Sequence, residues 1–289
     1  MNKNLNERFI SPPLKEIDTL RTSLNEGEKI VLDFFHRNLC LEWEIYIQPH
    51  LNGLRPDFVL LNPSVGIAVF EVKDWNLDIM NYRVIFDDKK KPQLWATSPQ
   101  GVDFFVKDNP INKVILYKET IANLYCPLIG SLHALRQEHE KSFNYFNIIT
   151  AGVIVTSATT DKAKSLLELF RQKHGVLDPL EKYHPVSGIE LLKSNNIQAV
   201  FPSSQLQNSD LMKPDIAKSL KSWLVEPDFA ATQRQPLELN KRQKIIATTR
   251  TNTGFRRIKG AAGSGKSVAL AARAAQLSIE KKRCLSCYL

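Results

Sequence analysis

The sequence predicts an α/β protein, and three stretches carry that expectation. Phe58-Val59-Leu60-Leu61 and Ile67-Ala68-Val69-Phe70-Glu71-Val72-Lys73 are β-rich runs joined by Asn62-Pro63-Ser64-Val65-Gly66, whose turn chemistry makes them a hairpin. Upstream, Glu28, Val31, Leu32 and Phe35 recur at helical spacing and give an amphipathic helix over about 23–37. Near the end, 255–259 reads as a short strand, 260–267 as a glycine-rich loop, and Ala-rich 268–280 as a helix without Pro or Gly.

In the first helix, Ser23-Leu24-Asn25-Glu26 fits a capping box. Glu28 falls on the apolar stripe that should face the sheet. An acid there either complements the helix dipole or belongs to a site. Glu26 already supplies first-turn charge, which favours the site.

In the hairpin, pairing Leu61 with Ile67 sets Val59 opposite Val69 and Asp57 opposite Glu71, with Cβ atoms about 5 Å apart. Lys73 shares their face, because side chains alternate along a strand. Like charges set opposite one another are destabilising. The pair therefore calls for a cation, and Mg²⁺ (or Mn²⁺) suits two carboxylates, water and a phosphate. Lys73 would offset charge on that phosphate. The alternative is an ordinary solvated strand face, against which stand Val59, Leu61, Ile67 and Val69 on the same side. Further on, 148–156 reads as a buried central strand. The stretch 161–174 reads as a surface helix with Ala163, Leu166, Leu167 and Phe170 inward.

At 289 residues and 43% hydrophobic content the chain has room for two domains. Its net charge of +9 is uneven: residues 240–289 carry +11 and the remainder −2. A basic C-terminal segment fits nucleic acid. The N-terminus has no apolar leader, and no apolar run is long enough to span a bilayer, so no membrane partner is expected. Four scattered cysteines make no disulfide framework and point to the cytoplasm; the Cys284-x-x-Cys287 pair lacks a second pair for zinc. Six histidines show no metal-ligand spacing, and no nucleophile-elbow motif supports a Ser/His/Asp triad. Pro- and Ser-rich sequence around a short helical stretch at about 216–224 predicts a linker over 206–236, dividing an arm (1–19) and a first domain (20–205) from a C-terminal segment (237–289).

Gly260-Ala261-Ala262-Gly263-Ser264-Gly265-Lys266-Ser267 completes the G-x-x-x-x-G-K-[ST] phosphate loop. Its glycines, with Ser264, let backbone N–H groups turn toward phosphate oxygens. Lys266 reaches the β- and γ-phosphates, and the Ser267 hydroxyl suits Mg²⁺. The 22 residues that follow leave no room for the acidic strand that a nucleotide hydrolase also needs. Helicase or ATPase turnover by this chain alone is therefore not expected.

Two resemblances refine this reading. Asn25-Glu26-Gly27-Glu28, Arg55-Pro56-Asp57 and Phe70-Glu71-Val72-Lys73-Asp74-Trp75 resemble the nuclease-related domain (NERD), a branch of the PD-(D/E)xK nucleases. That resemblance implies a mixed β-sheet flanked by helices, with Glu28, Asp57, Glu71 and Lys73 as the site. Family members often show Asn-Pro-x-x-Gln and a Tyr four residues on. Here the run is Asn109-Pro110-Ile111-Asn112-Lys113, then Tyr117, and Lys113 is either a DNA-phosphate contact or a solvated helix residue. Leu239-Asn240-Lys241-Arg242-Gln243-Lys244-Ile245-Ile246, with the loop, resembles the opening of UvrD-like superfamily-one helicases. It implies a partial P-loop NTPase (RecA-like) segment, apparently truncated, in which Gln243 selects ATP. The missing helicase portion, or another helicase subunit, would be a partner. Together they imply a metal-dependent DNA nuclease of a nuclease-helicase, in DNA processing or phage defence. The alternative is a non-cleaving DNA-binding or docking module.

Overall fold

The computed structural model describes residues 8–20, 22–49, 51, 53–107, 109–137, 144–177, 181–225, 239–249, 257–259 and 265–279. The chain divides into two compact units, 1–226 and 227–289.

The first unit is a mixed α/β structure. Its strands are β1 (Ile10–Ser11), β2 (Glu44–Ile47), β3 (Phe58–Asn62), β4 (Gly66–Lys73), β5 (Asn81–Phe86), β6 (Pro92–Thr97), β7 (Asp103–Phe105), β8 (Ile149–Val155) and β9 (Val186–Gly188). Its α-helices are α1 (Glu26–Asn38), α2 (Pro110–Thr120), α3 (Pro127–Gln137), α4 (Thr160–Lys173), α5 (Ile189–Lys193), α6 (Ile197–Val200) and α7 (Pro214–Leu224). Six strands form one sheet in the order β1-β2-β3-β4-β8-β9, and β5-β6-β7 form a second. In the large sheet the β2-β3-β4 pairings are antiparallel, whereas β4-β8 and β8-β9 are parallel.

Side-chain alternation sends the two faces of the large sheet to different cores. Val59, Leu61, Ile67 and Val69 pack with Ile111, Val114 and Tyr117 of α2, and with Ala163, Leu167 and Phe170 of α4. Phe58, Leu60, Ala68 and Phe70 pack on the other face with Val31, Leu32 and Phe35 of α1. β4 and β8 lie inside the sheet, and β8 is buried throughout, as its apolar run predicts.

The capping box of α1 is built by Asn25 and Glu28, two residues later than the sequence reading set it. The helical stretch expected at about 216–224 within the linker is α7, whose Ile216, Ala217, Leu220 and Leu224 are buried in the first core. Its apolar stripe outweighs the Pro and Ser around it. In the second unit, of the strand expected at 255–259 only 257–259 are described, and these three are not in a strand.

That unit contains α8 (Lys241–Thr248) and α9 (Lys266–Ile279). Gly260, Gly263, Ser264, Cys284 and Cys287 lie outside the described residues. Among the described residues no helix is long and apolar enough to cross a membrane.

Candidate active site

The β3–β4 register is the one the sequence predicts: Val59 faces Val69 and Leu61 faces Ile67. The last pair, Phe58 with Phe70, leaves Asp57 immediately before β3 and level with Glu71. Asp57 Oδ2 accepts the Val72 backbone N–H at 2.6 Å, which ties it to β4. On its other side β4 pairs with β8, where Val153 sits opposite Glu71. A central strand explains why Glu71 is only 1% exposed.

A buried carboxylate needs partners, and Glu71 has three. Lys73 Nζ donates to Oε1 at 2.6 Å and Lys113 Nζ to the same oxygen at 3.0 Å. The Tyr117 hydroxyl donates to Oε2 at 3.3 Å. Lys113 and Tyr117 are one helical turn apart on α2, so they reach the same acid. Asn109 caps that helix by accepting from the Ile111 and Asn112 backbone N–H groups, with Pro110 in its first turn. The Asn-Pro pair thus fixes where α2 begins and which residues meet Glu71.

Glu28 reaches the site differently. α1 covers the opposite face of the sheet, so Glu28 comes in past the strand ends. Its Oε2 accepts the Asn25 backbone N–H at 3.0 Å and Gln48 Nε2 at 3.3 Å. Gly27 makes this approach possible: a Cβ there would lie 2.4 Å from Thr156 Oγ1, just beyond β8. Glu28 is therefore a helix-capping acid as well as a neighbour of Asp57. Among the described residues, no three His, Cys, Asp or Glu side chains gather closely enough to form a metal cluster. The available pair is Asp57 and Glu71.

Gln48 is a site residue that sequence reasoning misses. Its backbone is left-handed (φ 45°), uncommon for a residue with a side chain. From that position its N–H meets the Asp57 carbonyl at 2.9 Å, while its Oε1 accepts Arg55 Nη2 at 2.5 Å. No local motif marks it.

Electrostatically, Asp57 is the displaced group. Burial raises its carboxyl from 3.8 to about 7, and the charges of Glu71 and Glu28 add to the rise. The Val72 N–H and Lys73 pull the other way. Two adjacent carboxylates, one held near neutrality by burial and by its neighbour, are a donor set that fits a hard divalent ion.

In the second unit, a Cβ on Gly265 would lie 2.2 Å from Gln243 Nε2, and α9 starts at Lys266. The described end of the glycine-rich loop and Gln243 therefore touch.

Residues 23–149 match the profile of the nuclease-related domain, NERD. The match covers Glu28, Asp57, Glu71, Lys73, Lys113 and Tyr117, and ends at the start of β8. No curated protein and no solved structure matches the chain.

Proposed function

We propose that the first unit is a metal-dependent nuclease that hydrolyses DNA phosphodiesters. The observation that carries this reading is the juxtaposition of Asp57, Glu71 and Lys73 at one end of β3 and β4. Asp57 and Glu71 would hold Mg²⁺ or Mn²⁺. When bound, such an ion lowers the pKa of water and stabilises charge on a phosphate.

The chain's own groups supply the rest. Lys73 places a cation beside Glu71, where it offsets the negative charge that grows on phosphate oxygens during attack. Arg55, held by Gln48 and by the Thr22 hydroxyl at 2.8 Å, is a second cation at the same end of the sheet. Glu28 completes the acidic surroundings and raises the Asp57 carboxyl further. Hydrolysis adds water across one P–O ester bond, leaving one phosphate monoester end and one hydroxyl end.

ATP is the ligand we assign to the second unit, with Gln243 at the base and 260–267 at the phosphates. The contact between Gln243 and Gly265 supports that assignment. A helicase motor would be completed by a further helicase portion or subunit, and DNA processing or phage defence is the setting.

The deciding experiment is cleavage of plasmid and linear single-stranded DNA with Mg²⁺ or Mn²⁺, comparing wild type with Asp57→Ala and Lys73→Ala. Loss of about a hundredfold or more in both variants is expected, in line with removal of a charge-stabilising group. Cutting that survives both substitutions would sink the assignment. One observation favours the second reading, a docking module that does not cleave: the cations already seated on Glu71.

A further inference from the structure

Glu71 meets two ammonium groups on one oxygen, and they differ in kind. Lys73 stands two residues along the same strand with a side chain only 17% exposed, fixed with β4 itself. Lys113 arrives from α2, and its side chain is 31% exposed. It can leave toward solvent without moving the sheet. The Tyr117 hydroxyl lies between the other oxygen of Glu71, at 3.3 Å, and the Arg55 carbonyl, at 3.2 Å, and its one proton serves one of them at a time.

Among the described residues, the cations Arg55, Lys73 and Lys113 stand beside the acids Glu28, Asp57 and Glu71 at this end of the sheet. A divalent ion entering beside these cations adds two positive charges to a largely buried place, where screening is weak. It also needs a lone pair on Glu71, and Lys113 holds one of those on Oε1.

We propose that Lys113 is a resident counter-ion of Glu71 that a divalent metal must displace, so that this lysine sets how tightly the site takes its ion. The inference rests on the metal-dependent reading above. A neutral residue at 113 would remove one positive charge from beside the ion and one ammonium from Oε1 of Glu71. The site is then guarded by its own side chain and loads fully only when ion concentration, or a DNA phosphate drawing the ammonium away, tips the competition.

The test is calorimetric titration of Mn²⁺ into the metal-free full chain without DNA, for wild type, Lys113→Gln, Lys113→Arg and Tyr117→Phe. Thermal melts alongside establish that each variant is folded. Lys113→Gln should bind Mn²⁺ at least tenfold more tightly, about 1.4 kcal/mol. Lys113→Arg keeps the charge and should stay close to wild type. Tyr117→Phe removes a neutral hydrogen bond and should change affinity by no more than about threefold. Equal or weaker binding by Lys113→Gln overturns the inference and leaves the metal site standing. Equal tightening by Lys113→Arg overturns it too, because packing and not charge would then be the cause. If no variant binds Mn²⁺, the inference falls together with the metal-dependent reading.

Discussion

Asp57 takes the backbone N–H of Val72 at 2.6 Å, so the acid ahead of β3 is tied to the strand that carries Glu71. One donor does not offset burial next to another carboxylate, and the Asp57 carboxyl rises to about 7. In the unfolded chain the same group titrates near 3.8. Between these values the folded protein holds a proton that the unfolded chain has lost. The contribution of Asp57 to stability is therefore most favourable below about 4, and is lost as pH rises toward 7.

Asp57→Asn should remove that dependence. In metal-free buffer the difference in melting temperature between variant and wild type should grow in the variant's favour from pH 4 to 7, then level off. At a few kcal/mol at most, by the usual 1.4 kcal/mol per pKa unit, it is large enough to measure. Mn²⁺ at pH 8 should stabilise wild type and not Asp57→Asn. A difference that is flat across this range would contradict the buried, neighbour-raised acid.

Glu28 has two jobs that two substitutions separate. Its carboxylate closes the capping box with Asn25 and adds charge beside Asp57. Gln at this position keeps the cap, because its amide oxygen can accept the Asn25 N–H. Glu28→Gln should melt within about 0.5 kcal/mol of wild type yet cleave DNA more slowly. Glu28→Ala should additionally lose about 1 kcal/mol of stability. If Glu28→Gln cleaves as wild type does, Glu28 serves the helix alone.

How much of this was legible beforehand depends on the range of each interaction. The hairpin and its register follow from neighbouring residues, because a Pro/Gly-containing turn between two β-rich runs leaves little choice. That placed Asp57, Glu71 and Lys73 on one end of a sheet. The reach of Lys113 to Glu71 spans 42 positions; the Asn-Pro run at the start of α2 draws attention to Lys113 but does not say which acid it meets. Gln48 is invisible for another reason: its role comes from a left-handed backbone, and its residue type does not favour one. The small β5-β6-β7 sheet has no clear signal in the sequence, because β5 is half-exposed, β7 is exposed, and the two mix aromatic, charged and polar residues. Glu28 was placed near the acids for partly the wrong reason. Its stripe does face the sheet, but the face opposite Asp57.

The position of α7 makes a prediction about where the first unit ends. Lys221 Nζ donates to Glu44 Oε1 at 2.6 Å, and Tyr46 donates to the other oxygen at 2.8 Å. Glu44 is buried, so removing the lysine takes away an ammonium that its carboxylate pairs with. Lys221→Ala should cost about 1–3 kcal/mol, since its ammonium is partly solvated. A chain ending at 205 loses that ion pair together with Ile216, Leu220 and Leu224 from the core. It should be insoluble or melt without cooperativity, whereas a chain ending at 226 should unfold in one transition. Equal cooperativity for both would return 206–225 to the role of a linker.

Gln243 gives the second unit its own test. Its Oε1 accepts the Asn240 backbone N–H at 2.9 Å, closing a capping box on α8, while its Nε2 lies against Gly265. One amide thus joins the start of α8 to the end of the glycine-rich loop. A side chain held this way offers a fixed hydrogen-bonding edge to a nucleotide base, and an adenine amino group is matched differently from a guanine carbonyl. Gln243→Ala should therefore lose preference for ATP over GTP in a fluorescent-nucleotide competition, with the two affinities converging to within about threefold. Lys266→Ala removes the cation proposed to meet the phosphates, and should weaken both nucleotides together. If Gln243→Ala weakens ATP and GTP equally, the glutamine only caps α8. If wild type binds neither nucleotide, 260–267 is a connector and the assignment of ATP to this unit fails.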